Sequence, residues 1–274
     1  MGYTQFKIAS ILFKRYRHGM LFIASFSNNL LIKMIVCYEK MLYYVIRNID
    51  SRTPAKTKSG AIPMKIYVCD IAQMYDLSGC ELLAETRLTR LKRYLRFEDQ
   101  VRCLVAGLML RCVLGSNSVL DIHCSPYGKP YLPYKPFFNL SHSGKKVVLV
   151  LDTQEVGVDI ELIEPYSEAI AKRVFTKKEL DWLHDQENDR AFFKLWTGKE
   201  SIMKATGLGF QLPPESFEIQ PTKNRPNLVD GRIWFLTWQE LDEHMLCVAG
   251  LYPHKEMEIV HLRREDLLFT QESK

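Results

Sequence analysis

Two acids spaced two residues apart in an otherwise apolar run constrain this chain more than any other feature. The run is Gly157-Val158-Asp159-Ile160-Glu161. A β-strand turns successive side chains to opposite faces, so Asp159 and Glu161 point together while Val158 and Ile160 bury on the other side. Two carboxylates forced onto one face repel unless a cation or water separates them. Taken alone, the pattern reads first as a solvated strand face that carries two acids.

A second run, Phe193-Lys-Leu-Trp-Thr-Gly-Lys-Glu-Ser-Ile-Met-Lys204-Ala-Thr-Gly, reads as a strong helix. Trp196, Glu200 and Lys204 fall four apart on one stripe, and Glu200 with Lys204 could be an exposed pair worth a few tenths of a kcal/mol. The flanking Phe192, Phe193, Leu195 and Trp196 argue instead for a buried helix, where unpaired charge is costly. Three acids converging from a strand and a helix would suit Mg²⁺, a hard cation that takes one or two carboxylates and leaves room for phosphate. An anionic ligand on such a metal needs further cations. Arg87, Arg90, Arg102, Gly128-Lys129-Pro130 and Asn139-Leu-Ser141-His142-Ser143 are the candidates. Each also has a bland reading, as solvated surface for the arginines and as a structural histidine for His142.

Around these runs the sequence alternates in type. Residues 64–70 read as a strand. Residues 82–114 read as helix in two pieces broken near 97–99, with Val101, Leu104, Val105, Leu108 and Met109 at helical spacing and Gly115 ending it. Strands are expected at 137–140, 146–151, 156–162, 216–220, 232–238 and 246–252, and helices at 168–175, 177–184 and 190–206. The order is that of an α+β protein in two halves joined near 152–155.

Five segments, in order, carry a resemblance. Gly128-Lys129-Pro130, Phe138-Asn139-Leu140-Ser141-His142-Ser143, Gly157-Val158-Asp159-Ile160-Glu161, Phe175-Thr-Lys-Lys-Glu179-Leu180 and Trp196-Thr-Gly-Lys199-Glu200-Ser-Ile-Met-Lys204 are similar to the signature motifs of the Sfp-type 4′-phosphopantetheinyl transferases. The resemblance spans about residues 64–268, and Met64-Lys-Ile-Tyr looks like the amino terminus of such an enzyme. Where the family often has Ala after the helical Glu, this chain has Ser201.

The resemblance implies two similar α+β halves related by a pseudo-two-fold axis, 64–154 and 155–268, with the active site in the cleft between them and a tail at 269–274. It implies transfer of the phosphopantetheine arm of coenzyme A to a serine of an apo acyl or peptidyl carrier protein; a monomer is expected, and the scattered cysteines read as reduced thiols of a cytoplasmic protein. Asp159, Glu161 and Glu200 would ligate Mg²⁺. Lys204 and His142 would neutralise phosphate oxygens. Lys129 and Pro130, with Ser141, would hold the adenine and 3′-phosphate end, aided by Arg87, Arg90 and Arg102. Glu200, or a metal-bound water held by it, would take the proton of the attacking serine. The mixed basic and apolar stretch 172–178 is a candidate platform for the carrier. Two rivals share these residues: a Mg²⁺-dependent phosphohydrolase, and a carrier-binding module without catalysis.

Composition narrows the rest. The formal charge of +5 is unevenly spread: residues 1–63 hold ten Lys and Arg against Glu39 and Asp50, and residues 64–274 hold 27 basic against 30 acidic residues. The body is thus mildly acidic, and the basic total does not argue for nucleic acid. The seven cysteines form no C-x-x-C pair, which speaks against zinc and disulfide frameworks. The apolar stretch 20–46 is interrupted by polar residues and is too short in any one run to span a bilayer. Residues 1–63, ending in the linker-like 51–63, are expected to lie outside the working protein and to be poorly ordered.

Overall fold

A computed structural model describes residues 64–268 except 187, 223 and 254–256, so the expectations for residues 1–63 and 269–274 lie outside the described residues. The chain opens with β1 (Lys65–Asp70), then α1 (Glu85–Leu91) and α2 (Phe97–Leu114). Two short strands follow, β2 (His123–Cys124) and β3 (Pro130–Tyr131), then β4 (Phe137–Ser143), β5 (Lys146–Asp152) and β6 (Val156–Leu162). Three helices come next: α3 (Glu168–Val174), α4 (Lys177–Gln186) and α5 (Asp189–Thr206). The chain closes with β7 (Pro226–Val229), β8 (Arg232–Leu241), β9 (His244–Gly250), β10 (Glu258–Leu262) and α6 (Arg264–Leu268). The fold is α+β.

Two four-stranded sheets organise these elements, in the orders β10-β1-β5-β4 and β6-β9-β8-β7. The first carries α2 on one face, where Leu104, Val105 and Leu108 meet Val147 and Leu149. The second carries α5, where Leu195 and Ile202 meet Cys247 and Ala249. The remaining faces enclose a valine-rich layer of Ile66, Val68, Val148, Val150, Val158, Ile160, Leu246 and Val248. A sheet covered on both faces should read as a continuous apolar run rather than an alternating one. That is the case in β5, where Val147-Val148-Leu149-Val150 are all fully buried. Each such side chain contributes about 1.5–3 kcal/mol by leaving water.

The structure departs from the sequence reading in several places, three of which bear on the architecture. The helical break falls at 92–96, so Phe97 begins α2 rather than interrupting it. The expected strand at 216–220 is absent, although Phe217 and Ile219 are buried as alternation demands. Their backbone is held by side chains instead: Ile219 N donates to Glu179 Oε1 and Gln220 N to Asn227 Oδ1. Finally, β10 returns to pair in parallel with β1, Lys65 opposite Glu258, so the closing strand belongs to the first sheet. Among the described residues no helix is long and apolar enough to cross a membrane.

Candidate active site

The site rests on the contact between β6 and α5. A Cβ on Gly157 would lie 2.1 Å from the carbonyl oxygen of Ser201 and 2.5 Å from the nitrogen of Ala205. The strand therefore touches the helix backbone to backbone, through a glycine opposite two small residues. Ser201 is fully buried, and its hydroxyl donates back to Gly198 O at 2.9 Å. Glu200 and Lys204 each precede one of these small residues, so the close approach carries both to the face of β6 that bears Asp159 and Glu161. The ends of α5 are well specified. Asn188 Oδ1 accepts from Ala191 N at the start, and Gly207, at φ 72°, closes the end with its N–H on Met203 O.

Lys204 Nζ donates to Asp159 Oδ1 at 2.5 Å and to Ser141 Oγ at 2.9 Å. Asp159 is 1% exposed, and its other oxygen, Oδ2, is buried without a hydrogen-bond partner among the described residues. Burial, then the Asp159 charge, push the Glu161 carboxyl up to about 7. Burial likewise raises Glu200, with Lys204 opposing and Asp159 adding to the shift. Lys204 is raised in turn: burial works against its charge, but Asp159, Glu200 and Glu161 outweigh it. Three acids thus share one lysine, an excess of negative charge that leaves Glu161 able to trade a proton near neutrality.

Beside this cluster lies a cleft of about 250 Å³ lined by Tyr127, Lys129, Pro130, Glu200, Lys204 and Phe210, among others. Lys129 faces it with its stem against Gly207, but its ammonium is already engaged. Nζ donates to Ala205 O at 2.6 Å, capping a carbonyl at the end of α5, and desolvation lowers its pKa to about 8. Ser141 is buried behind the cleft, its hydroxyl on Asp159 and Lys204. His142 is exposed; desolvation lowers its pKa, followed by the charges of Arg102 and Lys204. Arg102 is pinned by Asp99 at 2.6 Å and by Gly144 O at 2.7 Å.

Neither Arg87 nor Arg90 lines this cleft. Arg87 is half-buried over Gly107, where a Cβ would meet its Cδ at 2.5 Å. Arg90 is exposed in a separate groove with Glu85, Thr86, Thr89 and Arg93, its Nε on the Tyr94 hydroxyl at 3.2 Å. Of the 172–178 stretch, Phe175 is core, 3% exposed and edge-on to Phe192. Arg173 and Val174 line a shallow groove with Ile170, Pro214 and Glu215.

The structure adds residues that sequence reasoning left without a role. Lys199, fully buried, donates to Glu179 Oε2 at 2.8 Å, Pro214 O at 2.7 Å and Phe217 O at 2.6 Å. Glu179 also accepts from Thr176 N while Thr176 Oγ1 accepts from Glu179 N, a capping box readable in Thr176-x-x-Glu179. This pair ties α4, α5 and the 213–219 segment together. His244, buried on β9, contacts Ser143 O through Nε2 at 3.2 Å and steadies the turn whose Gly144 carbonyl holds Arg102. No local pattern in the sequence marks it.

All the acids in the cluster offer oxygen, as Mg²⁺ prefers, and one buried oxygen lacks a partner. Against this, no group of three or more His, Cys, Asp or Glu among the described residues is arranged to hold a metal ion. Lys204 stands where a cation would otherwise balance Asp159 Oδ1. The donor set therefore suits the ion, and the carboxylates are not drawn together on one point.

Comparison with known proteins bears on the same residues. The family model described as "4'-phosphopantetheinyl transferase superfamily" matches residues 155–252, which include β6 and α5. The chain is similar to 4′-phosphopantetheinyl transferase Sfp of Bacillus subtilis (strain 168), 37% identical over 192 residues, covering 65% of this chain and 86% of that protein. It is similar also to 4′-phosphopantetheinyl transferase HetI of Nostoc sp. (strain PCC 7120), 30% identical over 197 residues, covering 66% and 81% of the two chains. With 4′-phosphopantetheinyl transferase gsp of Aneurinibacillus migulanus it shares 34% identity over 141 residues, 48% and 60% of the two.

Proposed function

This chain belongs to the Sfp-type 4′-phosphopantetheinyl transferases, a family of enzymes, and we propose that it moves the phosphopantetheine arm of coenzyme A onto a serine of an apo carrier protein. The observation that carries this reading is the cluster of Asp159, Glu161, Glu200 and Lys204, of which Glu200 and Lys204 line the cleft with Lys129 and Pro130. In the transfer, the carrier serine oxygen forms a bond to the phosphorus that bears the pantetheine arm. The bond from that phosphorus to the rest of the pyrophosphate breaks, and adenosine 3′,5′-bisphosphate leaves with the electron pair. The serine proton goes to a base, and Glu200 or Glu161, both raised above an ordinary carboxyl, are the groups suited to accept it.

Asp159, Glu161 and Glu200 are the residues that would hold Mg²⁺, which when bound would neutralise charge on the pyrophosphate. Lys204 sits where it can exchange Asp159 for a phosphate oxygen. Arg102 adds positive field beside it, while burial and then the Arg102 charge keep His142 a neutral imidazole that can meet a phosphate oxygen only by hydrogen bonding. The groove of Ile170, Arg173, Val174, Pro214 and Glu215 is the proposed seat of the carrier, with Arg173 as the cation that would meet an acidic helix. Incubating the protein with coenzyme A, Mg²⁺ and an apo acyl or peptidyl carrier, then weighing the carrier, tests the proposal. A carrier heavier by one phosphopantetheine is expected, and only with Mg²⁺ present. An unchanged carrier with coenzyme A cleaved by water would favour a phosphohydrolase instead.

A further inference from the structure

The turn between β4 and β5 is tied down along its whole length. Ser143 Oγ accepts from Leu162 N of β6 at 3.1 Å, and Lys145 O accepts from Ile71 N at 2.8 Å. Lys146 Nζ bridges Asp70 at 3.0 Å and Asp242 at 2.8 Å. The remaining tie is His244 on β9, whose Nε2 lies 3.2 Å from Ser143 O. Gly144 makes room for that ring. At φ 51° it sits in the left-handed region, and a Cβ there would stand 2.9 Å from His244 Nε2. His244 is 5% exposed, and burial lowers its pKa, so the ring is neutral and carries one proton. A carbonyl can only accept, which puts that proton on Nε2. Nδ1 is then a bare acceptor, buried without a partner among the described residues, and such a group costs stability. What the ring contributes beyond packing, it contributes through Nε2.

The same turn carries the acceptor that aims Arg102. Gly144 O takes Nη1 at 2.7 Å, while Asp99 takes Nη2 at 2.6 Å. A guanidinium offers five N–H groups in a rigid fork, and these two bonds use one from each terminal nitrogen. Nε and the second N–H of each terminal nitrogen have no partner among the described residues. The charges of Arg102 and Lys204 both lower the pKa of His142, so the fork shares a corner with the lysine that faces the cleft. We infer that His244 is a positioning residue for coenzyme A binding: by fixing the Gly144 carbonyl, it holds Arg102 where its unused N–H groups meet a phosphate of the substrate. His244 is buried and acts only through Arg102. The inference rests on the reading that coenzyme A is the substrate.

The test is a double-mutant cycle on coenzyme A binding to the full chain, measured by calorimetry in EDTA so that neither metal nor transfer enters. His244→Leu keeps the volume and removes the N–H. His244→Gln keeps an N–H near the place of Nε2, and Arg102→Gln removes the cation. His244→Leu should weaken coenzyme A binding about fivefold, the scale of one net hydrogen bond, and His244→Gln should bring it back to within about twofold. In the Arg102→Gln background, His244→Leu should change binding by less than about twofold, because nothing is left to position. With apo-carrier, His244→Leu should raise KM for coenzyme A and leave kcat alone. Ile66→Ala, in the apolar layer between the sheets, should lower the melting temperature without moving coenzyme A binding. Equal losses from His244→Leu with and without Arg102 would overturn the inference, as would a Gln variant as weak as the Leu variant or an equal loss in Ile66→Ala. Should His244→Leu not fold, His244→Asn takes its place, since its shorter amide falls short of Ser143 O; an affinity equal to that of His244→Gln would then overturn the inference. A wild-type protein that binds no coenzyme A would overturn the proposed function and this inference together. Binding without modification of any carrier would overturn the transfer alone and leave the cycle to decide on His244.

Discussion

Gly157 on β6 and Ser201 on α5 meet so closely that a single added carbon on the glycine would sit 2.1 Å from the serine carbonyl oxygen. That contact brings Glu200 and Lys204 to Asp159 and Glu161. Because the obstructing atoms are backbone, no rotamer change relieves them. Overpacking a core usually costs about 1–3 kcal/mol, and here the helix itself must move. Gly157→Ala should therefore lie at or beyond the top of that range in a chemical melt. Transfer should fall further than the loss of folded protein explains.

The Lys199–Glu179 pair predicts a purely structural loss. Both side chains are buried, and each has further hydrogen bonds to backbone. Removing one partner of such a pair leaves the other charged in the interior, at a cost of about 3–5 kcal/mol. Lys199→Met should therefore destabilise strongly in urea melts. Whatever protein remains folded should keep its KM for coenzyme A, because Lys199 points away from the cleft toward Pro214 and Phe217. A selective rise in KM with normal stability would contradict this.

Much of the local structure could be read from residue order alone. Period two puts Asp159 and Glu161 on one face, and a spacing of four puts Glu200 and Lys204 on one stripe; both relations are local and need no knowledge of neighbours. The long-range relations could not be read that way. That β10 pairs with β1 depends on residues 65 and 258 meeting. That Lys129 caps α5 rather than lying free, and that Ser141 turns to Asp159, depend on which elements lie side by side. Residues 217–220 show the limit most plainly, since buried alternation there is satisfied by Glu179 and Asn227 and not by another strand.

Glu161 predicts a pH dependence with a definite sign. Its pKa rises from 4.5 to about 7 in the folded protein. Between those values the unfolded chain has lost the proton that the folded chain keeps, so the unfolded state binds fewer protons and stability falls as pH rises. Below the window both states are protonated and above it both are ionised, so this contribution is flat on either side. Urea melts in EDTA at intervals from pH 4.5 to 8 should show the decline, and Glu161→Gln should remove it. Since metal ligands must be deprotonated, Mg²⁺ affinity should rise through the same window. An unchanged slope in Glu161→Gln would place the effect elsewhere.

Glu200 and Lys204 separate chemistry from a surface ion pair. A solvated pair on a helix would be worth a few tenths of a kcal/mol, and losing it would leave turnover alone. In this structure Lys204 instead bonds to Asp159 and Ser141, and Glu200 faces the cleft with a raised carboxyl. The two substitutions should then differ in kind. Glu200→Gln keeps the shape and removes charge and basicity, so kcat should fall about 10²–10⁴-fold, the usual span for a lost general base, with KM for coenzyme A little changed. Lys204→Ala removes a cation that faces substrate in ground and transition states alike, so KM should rise and kcat fall together. It also strips the buried Asp159 of its only charged partner among the described residues, so a loss of about 1–3 kcal/mol in stability should accompany it. Steady-state kinetics with apo-carrier, coenzyme A titrations and melts on both variants read all of these. Normal turnover in Glu200→Gln would end the mechanism proposed for this site.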